Sequence, residues 1–481
     1  MRTLLLSTLV TLTLAQQQQQ PFLIQQQQQQ QLLTLTRIHT HSLTTLNTII
    51  NNISPNISIW SSSSACSSSH TPCSLDIAAS PSSLDTLLNS HPNLTTTTLQ
   101  PDIHSLIQSQ QQSLNTLDDT DYNEEWHQHY HSYQQIQEYL HHIALTHPAH
   151  AQLITLGHTY QNRSLTAIKL GHFLSPPSQK KIGVLVIANQ HAREWISAAS
   201  ALHLIHQILS DELDPGQAGN NGWKGTRDLL DIFDITILPL SNPDGYAYSW
   251  THERMWRKNR QPTSNEEGCV GIDVNSNWDA NFQGWPVERA CSEAYAGSEP
   301  FEAYESRAIA DFIKDEANGI GSVVDLHSYG QMLTYPFAFS CSPSLSLPDE
   351  EDLLELSFGA VRAMRDVHAR TFRAGRHCDL AWEVRGSALD WSYGYFPPAQ
   401  VDKKMRAPRR RPITPSYSEM SRSSLQPREG NLVKWSFALE LRDEGTYGFL
   451  LPEEQIRPSG QEAGALMRYM LEFIAKREKR I

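Results

Sequence analysis

The chain has 481 residues, and its 38 Lys and Arg against 51 Asp and Glu give a formal net charge of −13 at pH 7. A net acidic chain argues against nucleic acid as the main partner. Hydrophobic residues make up 39% of the chain and aromatic residues 9%, which suffices for a large core and excludes a mainly disordered protein.

The N-terminus has the composition of a targeting segment. It carries one Arg, a run of Leu, Val and Thr, and a small residue at Ala15. This pattern predicts a secretory signal peptide over residues 1–15, although an ordinary N-terminal helix would also fit it. The glutamine runs that follow predict a polar linker over residues 16–33. No later stretch has the length and apolarity of a transmembrane helix, so we expect a secreted or extracellular protein, or a vacuolar one.

Residues 34–117 have the pattern of a small domain. Apolar and β-branched runs alternate with segments of helical periodicity, in the order strand, helix, strand, strand, helix and strand. Ser80 followed by Pro81 begins one of the helices, because Ser is a good N-cap and Pro fits the first turn. A further helix is predicted from the run IHSLIQSQQQSL. The pattern therefore predicts a small α+β open sandwich.

The acidic stretch 118–125 predicts a linker, and beyond it strands alternate with helices. A segment of helical periodicity begins at Trp126. Strands are predicted at 181–189, 233–245 (ending in a turn), 322–329 and 435–443, and a helix at 195–209. Such alternation indicates an α/β domain over residues 126–481.

Residues 401–430 do not fit this alternation. They are rich in Arg, Pro and Ser and show no periodicity. The segment is interpreted as an irregular insertion, either a solvated loop or an intron translated from a faulty gene model. A nucleic-acid patch is the least favoured interpretation, since aromatic residues are nearly absent from it.

Three potential metal ligands lie at the ends of predicted strands. His191 and Glu194 form a His-x-x-Glu pair after one buried strand, and His327 follows another. A catalytic zinc takes three ligands of these types and keeps one open position. A lone His is more often a satisfied core residue, but open α/β sheets place their ligands at the carboxyl ends of strands. We therefore predict one Zn²⁺ bound by these three residues.

Seven motifs occur in a fixed order along the chain. They are NQHAREWISA, NPDGYAYSW, MWRKNRQ, GIDVNSNWDANF, LHSYGQMLTYP, ALDWSY and LELRDEGTYGFLLP. Together they resemble the M14 zinc carboxypeptidases of the A/B type over residues 126–481. Residues 34–117 are similar to the activation pro-domain of that family. Further phrases, such as AYAGSEPFEAYESRAIADFIK, resemble a fungal branch of inactive metallocarboxypeptidases linked to cell wall organisation.

The resemblance implies an architecture and a partner. The expected fold is the metallocarboxypeptidase fold, an α/β structure whose mixed β-sheet is sandwiched between helices, preceded by the pro-domain. The expected partners are peptide or protein C-termini and the chain's own pro-domain. The implied metal ligands are again His191, Glu194 and His327, and Asp273 matches the carboxylate that orients a ligand histidine.

The resemblance also implies catalytic and substrate-binding residues. Glu440, in LELRD, matches the general base that takes a proton from the attacking water. Arg257, in MWRKN, matches the residue that stabilises the developing oxyanion. Arg193 and Asn275 match substrate-binding positions.

Two positions depart from the family pattern. The family has an Arg that clamps the terminal carboxylate of the substrate where this chain has Ser276. Losing a cationic partner for a buried carboxylate costs roughly 2 to 4 kcal/mol of binding free energy. The family also has a Tyr where this chain has Trp382, which offers an indole N–H but no hydroxyl.

The residues expected around the side chain of the substrate's C-terminal residue are apolar. Leu389 lies where family members specific for basic residues carry an Asp, and Ala438 and Val384 are expected to line the same pocket. The pattern favours apolar or aromatic C-terminal residues.

The six cysteines contain no Cys-x-x-Cys pair, so zinc ribbons and thioredoxin-type redox motifs are unfavoured, and export favours three disulfides. The resemblance implies a disulfide between Cys269 and Cys291. The other expected pairs, by elimination, are Cys341–Cys378 and Cys66–Cys73.

Two functions stay open at this point. One is a secreted zinc carboxypeptidase made as a zymogen, which the retained Glu440 favours. The other is a catalytically inactive homologue with a binding or structural role in the cell wall, which Ser276, Trp382 and the fungal resemblance favour. A non-enzymatic Gln-rich scaffold is improbable because the metal-binding and general-base residues occur together.

The span from Ile38 to Asn162 contains no Lys or Arg, so the linker at 118–125 offers trypsin no cleavage site. We expect limited trypsin treatment to leave this linker intact. Any maturation would then need a protease directed at acidic or apolar residues. N-terminal sequencing of the tryptic fragments checks this, and a new terminus between Leu114 and Trp126 would contradict it.

Overall fold

The computed structural model describes residues 32–54, 56–63, 73–114, 122–174, 180–210, 226–264, 268–342, 345, 347–396, 426–427 and 433–479. The expected signal peptide, most of the Gln-rich linker, Cys66, residues 118–121 and nearly all of 401–430 lie outside the described residues. No helix within these ranges has the length and apolar character needed to cross a membrane.

The N-terminal unit forms a small antiparallel sheet with helices. Its elements are β1 (Thr34–Thr40), α1 (Leu43–Asn52), β2 (Ser58–Ser63), β3 (Cys73–Ala79), α2 (Pro81–Ser90), β4 (Thr95–Gln100) and α3 (Ile103–Leu114). The strand order is β2-β3-β1-β4. The Ser80 hydroxyl accepts a hydrogen bond from the Ser83 N–H, so α2 begins where the Ser-Pro pair predicts.

The second unit contains a large mixed sheet. Its strands are β5 (Ala151–His158), β6 (Ser164–Leu170), β7 (Ile182–Ala188), β8 (Phe233–Leu238), β9 (Ile320–His327), β10 (Met332–Tyr335), β11 (Arg373–Arg376), the pair β12 (Tyr395–Phe396) and β13 (Gln426–Pro427), and β14 (Trp435–Glu440). In the described chain the sheet order is β11-β10-β14-β9-β7-β8-β6-β5, with β12 and β13 paired separately. Strands β8, β7, β9 and β14 run parallel to one another.

Helices cover both faces of the large sheet. They are α4 (Tyr133–Thr146), α5 (Trp195–Ser210), α6 (Pro243–Thr251), α7 (Tyr304–Lys314), α8 (Glu350–His368), α9 (His377–Leu380), α10 (Ala388–Tyr393) and α11 (Ile456–Arg477). Alternate residues of β7 enter different cores: Val184 and Val186 pack with α5, whereas Leu185 and Ile187 pack with α7. The sheet is therefore buried on both sides, as its continuous apolar strands require.

Two expectations from the sequence need correction. The segment after β8 was expected to end in a turn, but the same residues begin α6, because the Asn242 side chain accepts a hydrogen bond from the Gly245 N–H and Pro243 occupies the first turn.

The predicted disulfide between Cys269 and Cys291 is present. In the described structure no disulfide joins Cys341 to Cys378; the Cys341 thiol instead donates to the Cys378 carbonyl at 2.8 Å.

A cluster of histidines is buried between α5 and the turn at Trp126–Gln128. The His127 ring lies 4.3 Å from the His206 ring and 6.2 Å from the His203 ring, centroid to centroid. Neither ring nitrogen of His127 has a hydrogen-bond partner among the described residues. Burial, followed by the charges of His206 and His203, lowers the pKa of His127 from 6.5 to about 2, and burial lowers the pKa of His203 to about 4.

These depressed pKa values predict acid sensitivity. Unfolded histidines take up protons near pH 6.5 whereas the folded ones stay neutral, so the free energy of unfolding should fall as the pH drops from about 6.5 towards about 4. A His127→Leu variant should show a smaller drop in melting temperature between pH 7.5 and pH 5.5. The exposed His141→Gln variant is the control, and an unchanged slope in His127→Leu would contradict the prediction.

Candidate active site and metal centre

The candidate site lies at one edge of the large sheet. His327 is the last residue of β9 and Glu440 the last residue of β14, and the two are direct partners in the parallel register. His191 and Glu194 lie in the turn between β7 and α5. Because parallel strands end at the same edge, residues far apart in sequence converge there.

His191, Glu194 and His327 form a compact donor set. His191 Nδ1 lies 2.7 Å from Glu194 Oε1, and His327 Nδ1 lies 3.0 Å from Glu194 Oε2. One donor atom from each residue falls within 4.8 Å of the others, and all three residues are buried. Two imidazole nitrogens and a carboxylate fit Zn²⁺ and leave room for a fourth ligand. The structure thus brings the three predicted ligands together.

The opposite nitrogens of both histidines face buried carboxylates. His191 Nε2 lies 3.2 Å from Asp273 Oδ1, and His327 Nε2 lies 2.8 Å from Asp325 Oδ2. Such pairs fix the ring orientation and leave Nδ1 facing the metal position. Asp273 was predicted from the sequence, but Asp325 was not. The signal for Asp325 was its position two residues before His327, since alternate residues of a strand share a face.

Burial and local charge act in opposite directions on the acidic groups. Burial raises the pKa of Glu194, but the neighbouring charges of His191 and His327 outweigh it and hold the pKa below its ordinary value. Burial also raises the pKa of Asp273, but the charge of Arg257, followed by that of His191, outweighs this effect and lowers the pKa. Both carboxylates are therefore ionised, as ligation and ring orientation require.

Arg257 is held beside the metal position by Asp273. Its Nη2 and Nε donate to Asp273 Oδ2 at 2.9 and 3.2 Å, and the side chain keeps 19% of its surface exposed. Ser276, at the predicted carboxylate-clamp position, donates its hydroxyl to the same oxygen at 3.1 Å. Ser276 therefore adds no positive charge and is already engaged with Asp273.

Glu440 carries a buried oxygen with no hydrogen-bond partner in the described ranges, Oε2. Burial raises the pKa of Glu440 to about 8; His327 opposes this rise, and Glu194 and Asp325 add to it. A bound dication would draw this pKa down, since metal ions dominate the local electrostatics of such sites. A carboxyl group with a pKa tuned in this way suits proton transfer near neutral pH.

The residues predicted to contact the substrate's side chain form a small apolar cluster near the candidate metal ligands, which we call the pocket wall. Leu389 and Ala438 pack with Ala338, and Val384 lies against them. Asn275 Oδ1 accepts from the Ala388 N–H at 2.8 Å, while its Nδ2 lies 2.9 Å from His327 Nε2. This links the pocket wall to the metal-binding edge.

Trp382 lies on the loop that follows α9. Its ring is 6.5 Å from the His377 ring in an edge-on arrangement. The residue is partly buried, and it precedes Val384 of the pocket wall by two positions in the sequence.

Arg193, the other predicted substrate-binding residue, is occupied by the N-terminal unit. It is 1% exposed, its Nη1 donates to Ser58 Oγ at 3.3 Å, and its Nη2 donates to the Ile59 carbonyl at 3.2 Å. Nη1 also reaches Glu293 Oε2 at 3.2 Å, and the guanidinium stacks on Phe449 at 4.3 Å. In this structure a peptide could not use Arg193 without displacing β2.

The two units also share an apolar and ionic contact beside the site. Trp60 packs on Phe449 with ring centroids 5.0 Å apart, and Tyr329 donates to Asp76 Oδ2 at 2.9 Å. Asp76 also forms an ion pair with Arg37 at 2.6 Å, and Arg37 Nη2 donates to the Glu444 carbonyl at 2.8 Å. Tyr329 is two residues beyond His327, so the N-terminal unit contacts the chain close to a candidate metal ligand.

Comparisons with known proteins agree with this architecture. The zinc carboxypeptidase family (Peptidase_M14) matches residues 136–465. Carboxypeptidase A2 of Rattus norvegicus is 31% identical over 348 residues, which cover 72% of this chain and 70% of that protein. Inactive metallocarboxypeptidase ECM14 of Saccharomyces cerevisiae is 34% identical over 330 residues, 66% of this chain and 65% of that protein.

A solved structure extends the similarity to the N-terminal unit. The crystal structure of thrombin activatable fibrinolysis inhibitor matches with a TM-score of 0.71 and 25% identity, covering 92% of this chain and 99% of that one. The predicted fold class is thereby confirmed. The similar proteins include one named as a carboxypeptidase and one named as inactive.

The Asp325 carboxylate should matter for metal affinity. Asp325→Asn removes the charge facing His327 Nε2, so we expect zinc affinity to fall about 10- to 100-fold. Chelator competition measures the affinity, and metal analysis the zinc content. His327→Ala, which should lose most of its zinc, sets the lower reference, and the exposed Asp279→Asn is the matched control. Wild-type affinity in Asp325→Asn would remove Asp325 from the metal centre.

Proposed function

The chain belongs to the zinc carboxypeptidase family M14, and we propose that it is a secreted metallocarboxypeptidase-like protein that binds one Zn²⁺ and hydrolyses C-terminal peptide bonds. The observation that carries the proposal is the convergence of His191, Glu194 and His327 on one point beside Glu440. Glu440 supplies the carboxyl group that proton transfer from the attacking water requires, and it is the direct strand partner of His327.

Each polar residue of the site has a role in this proposal. His191, Glu194 and His327 would hold Zn²⁺, which would polarise the scissile carbonyl and lower the pKa of the attacking water. Glu440 accepts the proton of that water and delivers it to the leaving amine. Arg257, held by Asp273, presents positive charge to the oxygen that becomes negative in the transition state.

Recognition of the substrate's terminal carboxylate is the weak part of the site. Ser276 is uncharged and donates to Asp273. Arg385 is exposed and donates to Gln283 Oε1 at 3.2 Å. We propose that activity on free C-termini is low because no clamp equivalent to the family's Arg stands at position 276.

A second candidate function is an inactive homologue that organises the fungal cell wall. Ser276, Trp382 and the similarity to a protein named as an inactive metallocarboxypeptidase favour it. In that case the zinc site would serve folding, or the binding of peptide ends, in place of turnover.

We further propose that the N-terminal unit acts as a pro-domain that restrains the site. Its residues Ser58 and Ile59 hold Arg193, and the Arg37–Asp76 ion pair binds both Tyr329 and the Glu444 carbonyl. Asp76 is 2% exposed, so separating the units would leave it without its tyrosine donor.

Ser276→Arg should separate the two candidate functions. If the missing clamp is the main defect, the variant should raise kcat/KM on benzoylated dipeptides at least tenfold, mainly through KM, since such a clamp contributes roughly 2 to 4 kcal/mol. The gain should vanish when the substrate's C-terminus is amidated.

Two further variants define the outcome. Glu440→Gln in the Ser276→Arg background should abolish turnover while zinc content stays full, and Arg385→Ala tests whether that cation already binds the carboxylate. A zinc-loaded Ser276→Arg protein that stays inactive after a protease directed at the acidic linker has released the N-terminal unit would favour the inactive homologue. Robust wild-type turnover that Arg385→Ala removes would overturn the proposed clamp defect.

A further inference from the structure

A polar pair lies next to the apolar pocket wall, where the sequence predicts only apolar contacts. Thr334 of β10 is the direct antiparallel partner of Ala438 of β14, so the two side chains share a face of the sheet. His377, the first residue of α9, has Nδ1 3.0 Å from Thr334 Oγ1. His377 thus adjoins Ala438 of the pocket wall through Thr334, and its neighbours include Trp382.

The hydrogen bonds of Thr334 fix the protonation pattern of the His377 ring. The Thr334 hydroxyl donates its single proton to the Ala438 carbonyl at 3.2 Å, so it must accept from His377 Nδ1. Burial, followed by the charge of His327, lowers the pKa of His377 to about 4, so the ring is neutral at pH 7. Nε2 is therefore a hydrogen-bond acceptor.

This acceptor is unused in the structure. Nε2 of His377 is buried, and no donor from the described residues reaches it. His377 as a whole residue is only partly buried, although its Nε2 is fully buried. A buried acceptor beside a pocket is a specificity element, because a ligand that supplies the missing donor gains a bond and one that cannot leaves the acceptor unsatisfied.

We propose that His377 determines specificity, with Nε2 accepting a hydrogen bond from a donor at the end of the substrate's C-terminal side chain. This rests on the proposed function and refines its apolar preference: the pocket takes side chains with an apolar stem and a terminal donor. Tyr is preferred to Phe and Gln to Met, pairs of similar size. Asp and Glu are rejected, because ionised carboxylates only accept hydrogen bonds.

The proposal is tested by binding, so that its outcome does not depend on turnover. Dissociation constants of N-benzoylglycyl dipeptides ending in Tyr, Phe, Gln and Met are measured by calorimetry on the full-length, zinc-loaded Glu440→Gln protein, which cannot consume them. We expect Tyr over Phe, and Gln over Met, by about five- to tenfold, the value of one net hydrogen bond.

Variants of His377 and Thr334 test whether His377 causes the preference for Tyr and Gln. His377→Leu should abolish it while retaining zinc and Phe binding, and His377→Gln, which keeps an acceptor, should restore part of it. Thr334→Val should weaken it with His377 still present, because the ring is then free to turn Nε2 away; this variant also serves if His377→Leu fails to fold.

The outcomes keep this inference separate from the proposed function. Preferential Tyr binding without turnover in the wild type would support the role of His377 and overturn the proposed activity. Turnover with equal binding of Tyr and Phe, or a preference that survives in His377→Leu, would overturn the role of His377 alone. Absence of binding for all four peptides would overturn the role of His377 in the full-length chain, whose site the N-terminal unit is proposed to restrain.

Discussion

The parallel register of β7, β9 and β14 is the constraint on which the site depends. It places Glu440 directly beside His327 and brings the turn after β7, with His191 and Glu194, to the same edge. A shift of one residue in β14 would turn Glu440 to the opposite face of the sheet. The continuous apolar strands and the two helical layers that fix this register therefore also determine the geometry of the candidate site.

The charge at this edge explains why the site fits a dication. Glu194, Asp273 and Asp325 are buried carboxylates that surround two histidines and Arg257. Isolated buried charge is costly, and Asp325 and Glu194 both contribute to the raised pKa of Glu440. A Zn²⁺ ion between the imidazoles would offset this negative charge, so metal binding and stability of the folded edge are coupled.

Two features limit access to that chemistry in different ways. The N-terminal unit contacts Arg193, Phe449 and Tyr329 through Ile59, Trp60 and Asp76, and under the proposed function separation of the units would remove this restraint. Ser276 lies within the site itself, so separating the two units would not restore the positive charge that the family's Arg supplies at this position. A chain with both features can keep a functional zinc edge and still turn over free C-termini slowly.

The sequence by itself predicted the features that follow from local patterns: the candidate ligands at strand ends and the alternation that indicates an α/β sheet. Its resemblance to the family added the candidate base in LELRD and the Cys269–Cys291 disulfide, which the structure contains. Only the tertiary structure decided which side chains meet across large separations. Arg193 contacts Ser58, which lies 135 positions away in the sequence, and His377 contacts Thr334, which lies 43 positions away. The expected Cys341–Cys378 disulfide is absent from the described structure, although the two residues are in contact. Such contacts depend on how whole elements pack, and periodicity within one element carries no information about them.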